Sequence, residues 1–321
     1  MTYKAGLLAS VAALLTGQAA WAQSDYPTRS IELMVGFSPG GNLDTLARAA
    51  QPFLEEYLDG AEISVVNVPG AGGTVMNQRL ANAEPDGYTL GLLSMPGVVT
   101  VLFGGDADYG VDDFEYSGTF TFEPHSVMMG ADTPYETGED LLEAAREAPG
   151  SITIGGAGIG SAAHLAVKSL ERAADVRFNF IPAQGAAEMT NQVLGGHIDG
   201  GVTTISGSYS YHQEGQAQVL GVLANERVEV APDIPTFAEF GAEVEWGALR
   251  GIAAPAGTPQ EIVDKLTDAV RQTLDDPEFQ EVAARNQMIL EFRDGSGFRS
   301  SVEEIFASLE EMWAEDPWVE E

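Results

Sequence analysis

The apolar residues of this chain alternate between strand and helix patterns. From Ile31 to Phe37 they recur at every second position, as in a half-buried strand, and the Ser-Pro-Gly-Gly segment at 38–41 ends that pattern. Helical spacing begins directly afterwards, which predicts a helix with Asn42 as its N-cap. The same order repeats from Ile63 to about Ala83, and Tyr88 to Leu93 follows as a third strand. This alternation predicts an α/β fold with a mostly parallel sheet.

A second series of strand and helix patterns occupies the rest of the chain. An apolar strand from Gly118 to Met129 is predicted to lead into it. Further strands are predicted at 152–154, 178–181, 198–204, 219–223 and 289–292, and helices at 139–147, 161–173, 186–194, 258–274, 279–285 and 298–313. In the first series, Pro52 predicts that the first helix kinks or restarts there.

Each series contains a glycine-rich loop that follows a predicted strand and precedes a predicted helix. These loops lie at 38–42 and 155–161. The first N–H groups of a helix have no partner within it, and glycine lets a ligand approach the backbone closely, so each loop predicts an anion-binding site. An ordinary strand-to-helix turn remains the alternative. Because the loops lie in opposite halves of the pattern, we expect two α/β lobes that face each other across a ligand cleft.

Residues 1–22 are predicted to be a secretory signal peptide. Lys4 precedes an apolar run from Ala5 to Leu15, and Ala20-Trp21-Ala22 is a small-x-small cleavage motif. The apolar run is shorter than the roughly 20 residues that span a bilayer, and no other stretch is long enough. We therefore expect the mature chain to be exported without a membrane span, into the periplasm where the source has two membranes.

Charge and residue types exclude several function classes. The 49 acidic residues against 15 basic ones give a net charge of −34, which disfavours nucleic acid and anionic lipid as partners and resembles the surfaces of salt-adapted proteins. The absence of cysteine excludes disulfides and thiolate catalysis. The four histidines show no metal-ligand spacing, and the segment from Gly155 to Ser161 lacks the third glycine of a dinucleotide-binding motif, so no metal and no cofactor are expected.

Six segments, in order along the chain, carry a resemblance to one known family. They are YPTRSIELMVGFSPGGNLDTLAR, VVNVPGAGGTVMNQRLANAEPDGYTL, GGAGIGSAAHLA, GGHIDGGV, DIPTFAEFG and GIAAPAGTP. In this combination the chain resembles, from about Tyr26 to beyond Leu274, the substrate-binding proteins of tripartite tricarboxylate transporters. The resemblance implies a binding protein and not an enzyme, with a two-lobed periplasmic-binding-protein-like fold in which each lobe is a mostly parallel sheet flanked by helices. Lobe 1 is then formed by residues 23–122 and 245–321, and lobe 2 by residues 123–244.

The resemblance also implies a ligand, partners and a site. A small organic carboxylate is held between the lobes by backbone N–H groups of the two glycine loops, and a monomeric protein delivers it to the membrane subunits of a transporter. The implied ligand-binding residues lie on strand ends and loops of both lobes: Phe37, Ser38, Gly40, Gly41, Asn42, Ser94, Gly158, Ile159, Gly160, Ser161, Ala183, Gln184, Gly185 and Thr203.

Two departures from the family bear on the ligand. The family commonly has an aromatic and then a basic residue where this chain has Ala183 and Gln184, and Thr203 stands where many members have an acidic residue. The absence of both charges favours a mono- or dicarboxylate over an amino acid or a tricarboxylate.

Some residues keep more than one interpretation. Ser161 and His164 share a helix face, as in an exported serine hydrolase, although no GxSxG motif is present; alternatively Ser161 caps the helix and His164 holds the loop. A receptor that passes its ligand to a sensor protein is a third function. Arg250 is either a partner of the ligand carboxylate or half of a structural ion pair, and Trp246 is expected to pack in the core or at a hinge.

Overall fold

A computed structural model describes residues 26–37, 39–105, 107–183, 186–286, 288–315 and 317. The predicted signal peptide at 1–22 and three predicted ligand-binding residues, Ser38, Gln184 and Gly185, lie outside these residues. Within them, no helix combines the length and the apolar character needed to cross a bilayer.

Nine strands and ten α-helices form in the described part of the chain. The strands are β1 Ile31–Val35, β2 Ile63–Asn67, β3 Thr89–Met95, β4 Phe114–Gly130, β5 Thr153–Ala157, β6 Asn179–Ala183, β7 Gly200–Thr204, β8 Ala217–Val222 and β9 Gly247–Pro255. The helices are α1 Asn42–Tyr57, α2 Thr74–Ala81, α3 Gly97–Thr100, α4 Gly138–Glu147, α5 Ala162–Ala174, α6 Ala186–Leu194, α7 Ile205–Gln213, α8 Gln260–Asp275, α9 Pro277–Arg285 and α10 Gly295–Glu315.

A single long strand, β4, belongs to both halves of the sheet. The strand order is β2-β1-β3-β9-β4-β7-β5-β6, and β8 also pairs with β4. Residues 114–124 of β4 pair with β9, whereas residues 125–130 pair with β7 and β8. We call β4 and β9 the crossing strands, because β4 carries the chain from the first half of the sheet to the second and β9 returns it.

The strands of the two halves end towards each other. β9 is antiparallel to both β3 and β4, so β3 and β4 run in the same direction, whereas β7 runs against β4. Met95, the last residue of β3, is level with Phe122 of β4 through their common partner Leu249. Thr204, the last residue of β7, is level with His125 of β4. Phe122 and His125 are three residues apart on β4, so the ends of β3 and β7 lie about 10 Å apart along that strand. The carboxyl ends of β1–β3 therefore face those of β5–β7, which run parallel to one another.

Helices cover both faces of the first half of the sheet. Leu33 on β1 lies in a buried cluster with Leu266 on α8, and Met34 lies on the opposite face in a cluster with Met76 on α2. Alternating residues of one strand thus pack into two different apolar layers. Complete burial of side chains of this kind stabilises the fold by about 1.5–3 kcal/mol each.

The α/β prediction is confirmed, and the sheet is mixed, because β4 and β9 pair antiparallel with their neighbours. Several local predictions are wrong. Gly41 is the N-cap of α1, and Asn42 is its first helical residue. The helix continues through Pro52 to Tyr57. Within the described residues, the strand predicted at 289–292 forms only an isolated bridge from Leu290 to Thr121. The sequence pattern also misses β9, α3 and α7.

Candidate ligand-binding cleft

The loop between β1 and α1 is held in shape by Asp44, in the first turn of α1. The Gly40 N–H donates to Asp44 Oδ2 at 2.8 Å, and Asn67 Nδ2, at the end of β2, donates to Asp44 Oδ1 at 2.9 Å. Asn67 Nδ2 also donates to the Phe37 carbonyl at 2.9 Å. Gly40 has a φ of +85°, which a residue with a side chain rarely adopts. A carboxylate of the protein therefore fixes the shape of this loop.

The Asp44 carboxyl group is buried and ionised. Burial by itself raises the pKa of a carboxyl group. Hydrogen bonds from the Arg48 side chain, the Gly40 N–H and Asn67 outweigh that effect and hold the pKa of Asp44 below its usual value. Arg48 Nε lies 3.0 Å from Asp44 Oδ1, so the cation and the anion beside this loop neutralise each other.

The loop between β5 and α5 is closed by the helix that follows it. Ser161 is the N-cap of α5, and its Oγ accepts a hydrogen bond from the His164 N–H at 3.2 Å. His164 Nδ1 accepts from the Gly160 N–H at 3.1 Å. The Gly158 N–H donates to the Ala183 carbonyl at 2.9 Å, which ties the loop to the end of β6. The predictions that Ser161 caps the helix and that His164 holds the loop are confirmed.

Three glycines of the two loops donate their N–H groups to other parts of the protein. Gly40, Gly158 and Gly160 each donate to another residue of the protein, as described above. The N–H groups of the first turns of α1 and α5, in contrast, have no partner within their own helices. Gly41 and Asn42 at the start of α1 are exposed. These glycines fix the shape of the loops, and the backbone N–H groups that a ligand can reach lie at the helix starts.

The ends of the parallel strands in the second half form one row. Ala157 of β5 pairs with Ala183 of β6, and Gly155 pairs with Gly201 of β7. Thr203 lies two residues beyond Gly201, so it joins the row at the end of β7. Ala183 and Thr203 are both buried.

A cavity of about 200 Å³ joins the two halves at their facing strand ends. Phe37 and Ser94 line it from the first half, and Ala162, the first residue of α5, lines it from the second. Ala248 of β9 also lines it, which places the crossing strands beside the cavity. The other predicted site residues in the described part of the chain do not line this cavity: Gly40, Gly41, Asn42, Gly158, Ile159, Gly160, Ser161, Ala183 and Thr203.

Glu123 connects the crossing strands to the second half. Arg250 Nη1 and Nη2 on β9 both lie 3.2 Å from Glu123 Oε2 on β4. Ser206, in the first turn of α7, donates a hydrogen bond from its Oγ to Glu123 Oε1. The side chains of Glu123 and Arg250 are 8% and 13% exposed. Arg250 is therefore half of a structural ion pair, which decides between its two interpretations.

Trp246 lies directly before β9, where the chain returns to the first half. Its Nε1 donates to the Ala162 carbonyl at 2.8 Å, and its carbonyl accepts from the His125 N–H at 2.8 Å. The residue is buried, as predicted. Trp246 thus ties the crossing strands to the start of α5.

A larger cavity, of about 640 Å³, lies on the other face of the crossing strands, between α5 and α10. Ala248 lines the smaller cavity and Leu249 the larger one, as strand alternation requires. The charged side chains that line the larger cavity are Glu243, Glu245, Glu304, Glu311, Arg172 and Arg293. Both arginines form ion pairs with carboxylates of this group. None of the predicted site residues in the described part of the chain lines it.

Sequence reasoning did not assign Asp44, Asn67 and Glu123 to the site. The position of Asp44, three residues after the glycine turn, could have predicted its role, because a carboxylate in the first turn of a helix can accept hydrogen bonds from the N–H groups of the preceding loop. Glu123 offers no such signal, since its partners Ser206 and Arg250 are distant in sequence. Among the described residues, no group of three or more His, Asp or Glu side chains is arranged to hold a metal ion.

This fold, with two sheet halves joined by crossing strands, is that of the two-lobed periplasmic binding proteins. The chain belongs to the tripartite tricarboxylate transporter family receptors (TctC), whose family model matches residues 46–295. Its relatives include a UPF0065 protein in the gbd 5' region of Cupriavidus necator, which is 32% identical over 288 residues that cover 89% of this chain and 87% of that protein.

Two solved structures are similar to this chain over most of its length. A TctC solute-binding protein from Polaromonas, solved without ligand, has a TM-score of 0.84 and 30% identity, covering 91% of this chain and 100% of the other. MatC from Rhodopseudomonas palustris, solved with bound malate, has a TM-score of 0.69 and 26% identity, covering 89% of this chain and 99% of the other. The matched family consists of receptors, and the Polaromonas protein is a solute-binding protein, so this chain is a solute-binding receptor and not an enzyme.

Proposed function

We propose that this receptor captures a small organic mono- or dicarboxylate between its two lobes and delivers it to the membrane subunits of a tripartite tricarboxylate transporter. The observation that carries the proposal is the cavity shared by the β1–α1 loop and the first residue of α5. The starts of α1 and α5 belong to opposite halves of the sheet, so one ligand bound there contacts both.

Backbone donors supply the affinity for the carboxylate. The N–H groups in the first turns of α1 and α5 are the proposed donors, apart from that of His164, which donates to Ser161 Oγ. Those of Gly40, Gly158 and Gly160 already bind inside the protein. Each helix start contributes roughly 0.3–2 kcal/mol through its dipole, and direct hydrogen bonds to an anion contribute more. Salt screens the repulsion from the net charge beyond about 8 Å at 0.15 M, so contact donors prevail over distant carboxylates.

The larger cavity is less suited to an anion. It presents four carboxylates, and both of its arginines already pair with carboxylates of that group. A carboxylate ligand there meets uncompensated like charges, whereas the smaller cavity has no acidic side chain among its described lining residues.

Closure of the lobes is the proposed working motion. A ligand held by both helix starts has contacts in the closed state that it lacks in the open one, which shifts the population towards closure. We place lobe 1 at residues 23–122 and 245–321 and lobe 2 at residues 123–244, consistent with pairing that changes partner along β4 between residues 124 and 125. The protein acts as a monomer in this proposal.

Relatives support the chemical class of the ligand. MatC was solved with malate, a small organic acid, and the matched family is named for carboxylate transport. We propose that residues 1–22 direct export to the periplasm. Genes for transporter membrane subunits next to the gene for this protein would favour transport over the alternative of a receptor that serves a sensor protein.

Ser161 is not arranged as a hydrolytic nucleophile. Its Oγ accepts from the His164 backbone N–H, and the His164 Nδ1 is occupied by the Gly160 N–H. The seryl oxygen therefore caps a helix here.

The proposal is tested by thermal shift with Gly41→Val. Gly41 lies two residues before Leu43, which lines the cavity, so the substitution adds bulk beside the proposed donors of α1. Its φ of −79° and ψ of 169° form an extended conformation that valine adopts without backbone strain, so the variant is expected to fold. Wild-type protein should show a raised Tm with at least one small carboxylate, since a ligand at 100 times its Kd stabilises by about 2.7 kcal/mol. The variant should lose that shift.

Gly110→Val is the matched control. Gly110 is also an extended N-cap residue, with φ −123° and ψ 174°, and it precedes a short 3₁₀ helix outside the cavity. This control should keep the wild-type shift. If Gly41→Val is folded and binds the ligand as tightly as wild type, the β1–α1 loop is not part of the site.

A further inference from the structure

We infer that the cleft selects a monocarboxylate with an apolar body over a dicarboxylate of the same length. This inference rests on the proposed function and concerns the part of the ligand beyond its carboxylate. It comes from the side chains that line the 200 Å³ cavity next to the start of α5.

The cavity wall is apolar. Phe37, Leu43, Met76, Leu92, Met95 and Val98 line it from the first half of the sheet. The polar side chains among its described lining residues are those of Ser94 and Asn77, and Asn77 already donates to the Tyr109 hydroxyl at 3.0 Å. None of these lining residues carries a charge. The wall therefore suits a hydrocarbon group.

The arginines beside the cleft are committed to protein carboxylates. Arg48 contacts Asp44 at 3.0 Å. Arg250 lies opposite Ser94 in the pairing of β3 with β9, and it contacts Glu123 at 3.2 Å. A second carboxylate of a ligand thus gains no free arginine from either position. In the proposed function the first carboxylate already takes the donors of both helix starts. Because an anion that leaves water without a partner loses a large hydration energy, the second carboxylate lowers affinity.

Two exposed apolar side chains stand on the two glycine loops. Phe37 is 43% exposed and Ile159 is 55% exposed. They are two of the five large apolar side chains exposed in the described part of the chain. Single exposed apolar residues are ordinary on a surface, but these two flank the cleft from opposite halves. Lobe closure over an apolar ligand buries both of them and adds affinity that a polar ligand does not gain.

The cavity also limits the size of the ligand. Its volume of about 200 Å³ lies below the roughly 300–1,000 Å³ of sites that take drug-sized molecules. A carboxylate with a chain of about four to six carbons matches this volume better than a larger acid.

Isothermal titration with acetate, butanoate, hexanoate and adipate tests the inference. The protein is first unfolded and refolded, so that any co-purified ligand is removed. Affinity should rise about fourfold for each methylene added from acetate to hexanoate, the factor expected for burial of a methylene group. Hexanoate and adipate have the same number of carbons and differ in the second carboxylate, and hexanoate should bind at least tenfold more tightly.

Phe37→Ala tests whether the apolar cavity wall produces the preference for hexanoate. This side chain is 43% exposed, so the variant should fold. It should bind hexanoate about tenfold more weakly, and its affinity for acetate, which does not reach the apolar wall, should fall much less. Val230→Ala is the control, because Val230 is similarly exposed at 42% and does not line the cavity. It should bind both acids as wild type does.

The outcomes separate this inference from the proposed function. Adipate binding as tightly as hexanoate, or more tightly, overturns the inference and leaves carboxylate capture standing. An affinity that does not change from acetate to hexanoate also overturns it. Folded protein that binds none of the four acids contradicts both.

Discussion

His125 lies on β4 at the point where the strand passes from one half of the sheet to the other. It is buried, and its Nδ1 has no hydrogen-bond partner among the described residues. Burial lowers the pKa of His125 to about 4, although the nearby Glu123 carboxylate acts in the opposite direction and Arg250 adds to the lowering. The folded protein therefore keeps this imidazole neutral at pH values where an unfolded chain protonates it.

His125 makes the folded state sensitive to mild acid. Its folded pKa lies below the unfolded value of 6.5, so its contribution to stability is complete above pH 6.5 and declines as the pH falls towards 4. With about 1.4 kcal/mol for each pKa unit, the loss approaches about 3 kcal/mol. Urea unfolding at pH 7.5, 6 and 5 should show a smaller loss of stability in His125→Gln than in wild type.

His197→Gln is the control for this measurement, because His197 is exposed and lies outside the crossing strands. It should follow the wild-type pH dependence. Equal pH dependence in wild type and His125→Gln contradicts the assignment of acid sensitivity to His125.

At the scale of elements, the Glu123–Arg250 pair joins β4, β9 and the start of α7. Removal of one partner of a buried ion pair leaves the other charge uncompensated and costs about 3–5 kcal/mol. Glu123→Ala should therefore lower the free energy of unfolding by about 3 kcal/mol or more, measured by urea denaturation at pH 7.5.

Asp268→Ala provides the comparison, because Asp268 forms an exposed ion pair with Arg271 on α8. Exposed pairs contribute about 0–1 kcal/mol, so this variant should stay close to wild type. If Glu123→Ala and Asp268→Ala lose similar free energies of unfolding, burial does not explain the contribution of Glu123 to stability.

Elements with strong local signals were predictable, and those defined by distant pairing were not. The β1–α1 and β5–α5 units follow from alternation, glycine turns and helical spacing, and Ser161 was correctly predicted as a cap. β9 was missed, because its Gly-Ala-Leu-Arg-Gly-Ile-Ala-Ala-Pro sequence has few residues that favour strands. It becomes a strand by pairing with β3 on one side and β4 on the other.

The same limit applied inside the cleft. Local rules placed the loops but assigned the N-cap of α1 to Asn42, because asparagine is a frequent cap, whereas Gly41 occupies that position. The contact between Arg250 and Glu123 spans 127 positions, so no local pattern distinguishes it from a contact between Arg250 and a ligand. The ligand-binding roles of the loop residues remain predictions.

At the scale of the whole molecule, the net charge of −34 sets the response to salt. Like charges on a compact chain repel each other, and the screening length falls from about 10 Å at 0.1 M salt to about 3 Å at 1 M. The Tm should rise by a few degrees between these concentrations, since about 1 kcal/mol moves the Tm of a chain of roughly 300 residues by about 1–2 °C. NaCl and KCl should act alike in a thermal scan. A Tm that stays constant or falls contradicts a destabilising self-repulsion.

The pairing of β3 with β9 also determines the order in which the chain can assemble. Gly91 pairs with Ala253, whereas β4 to β8, which complete the second half of the sheet, have all been synthesised by residue 222. Pairing between such distant segments is slow, because the intervening loop must close first. A nascent chain therefore holds β3 and residues 114–124 of β4 without their shared neighbour β9, while β5 to β8 already have theirs. The half of the sheet that leaves the ribosome first is the last to be completed.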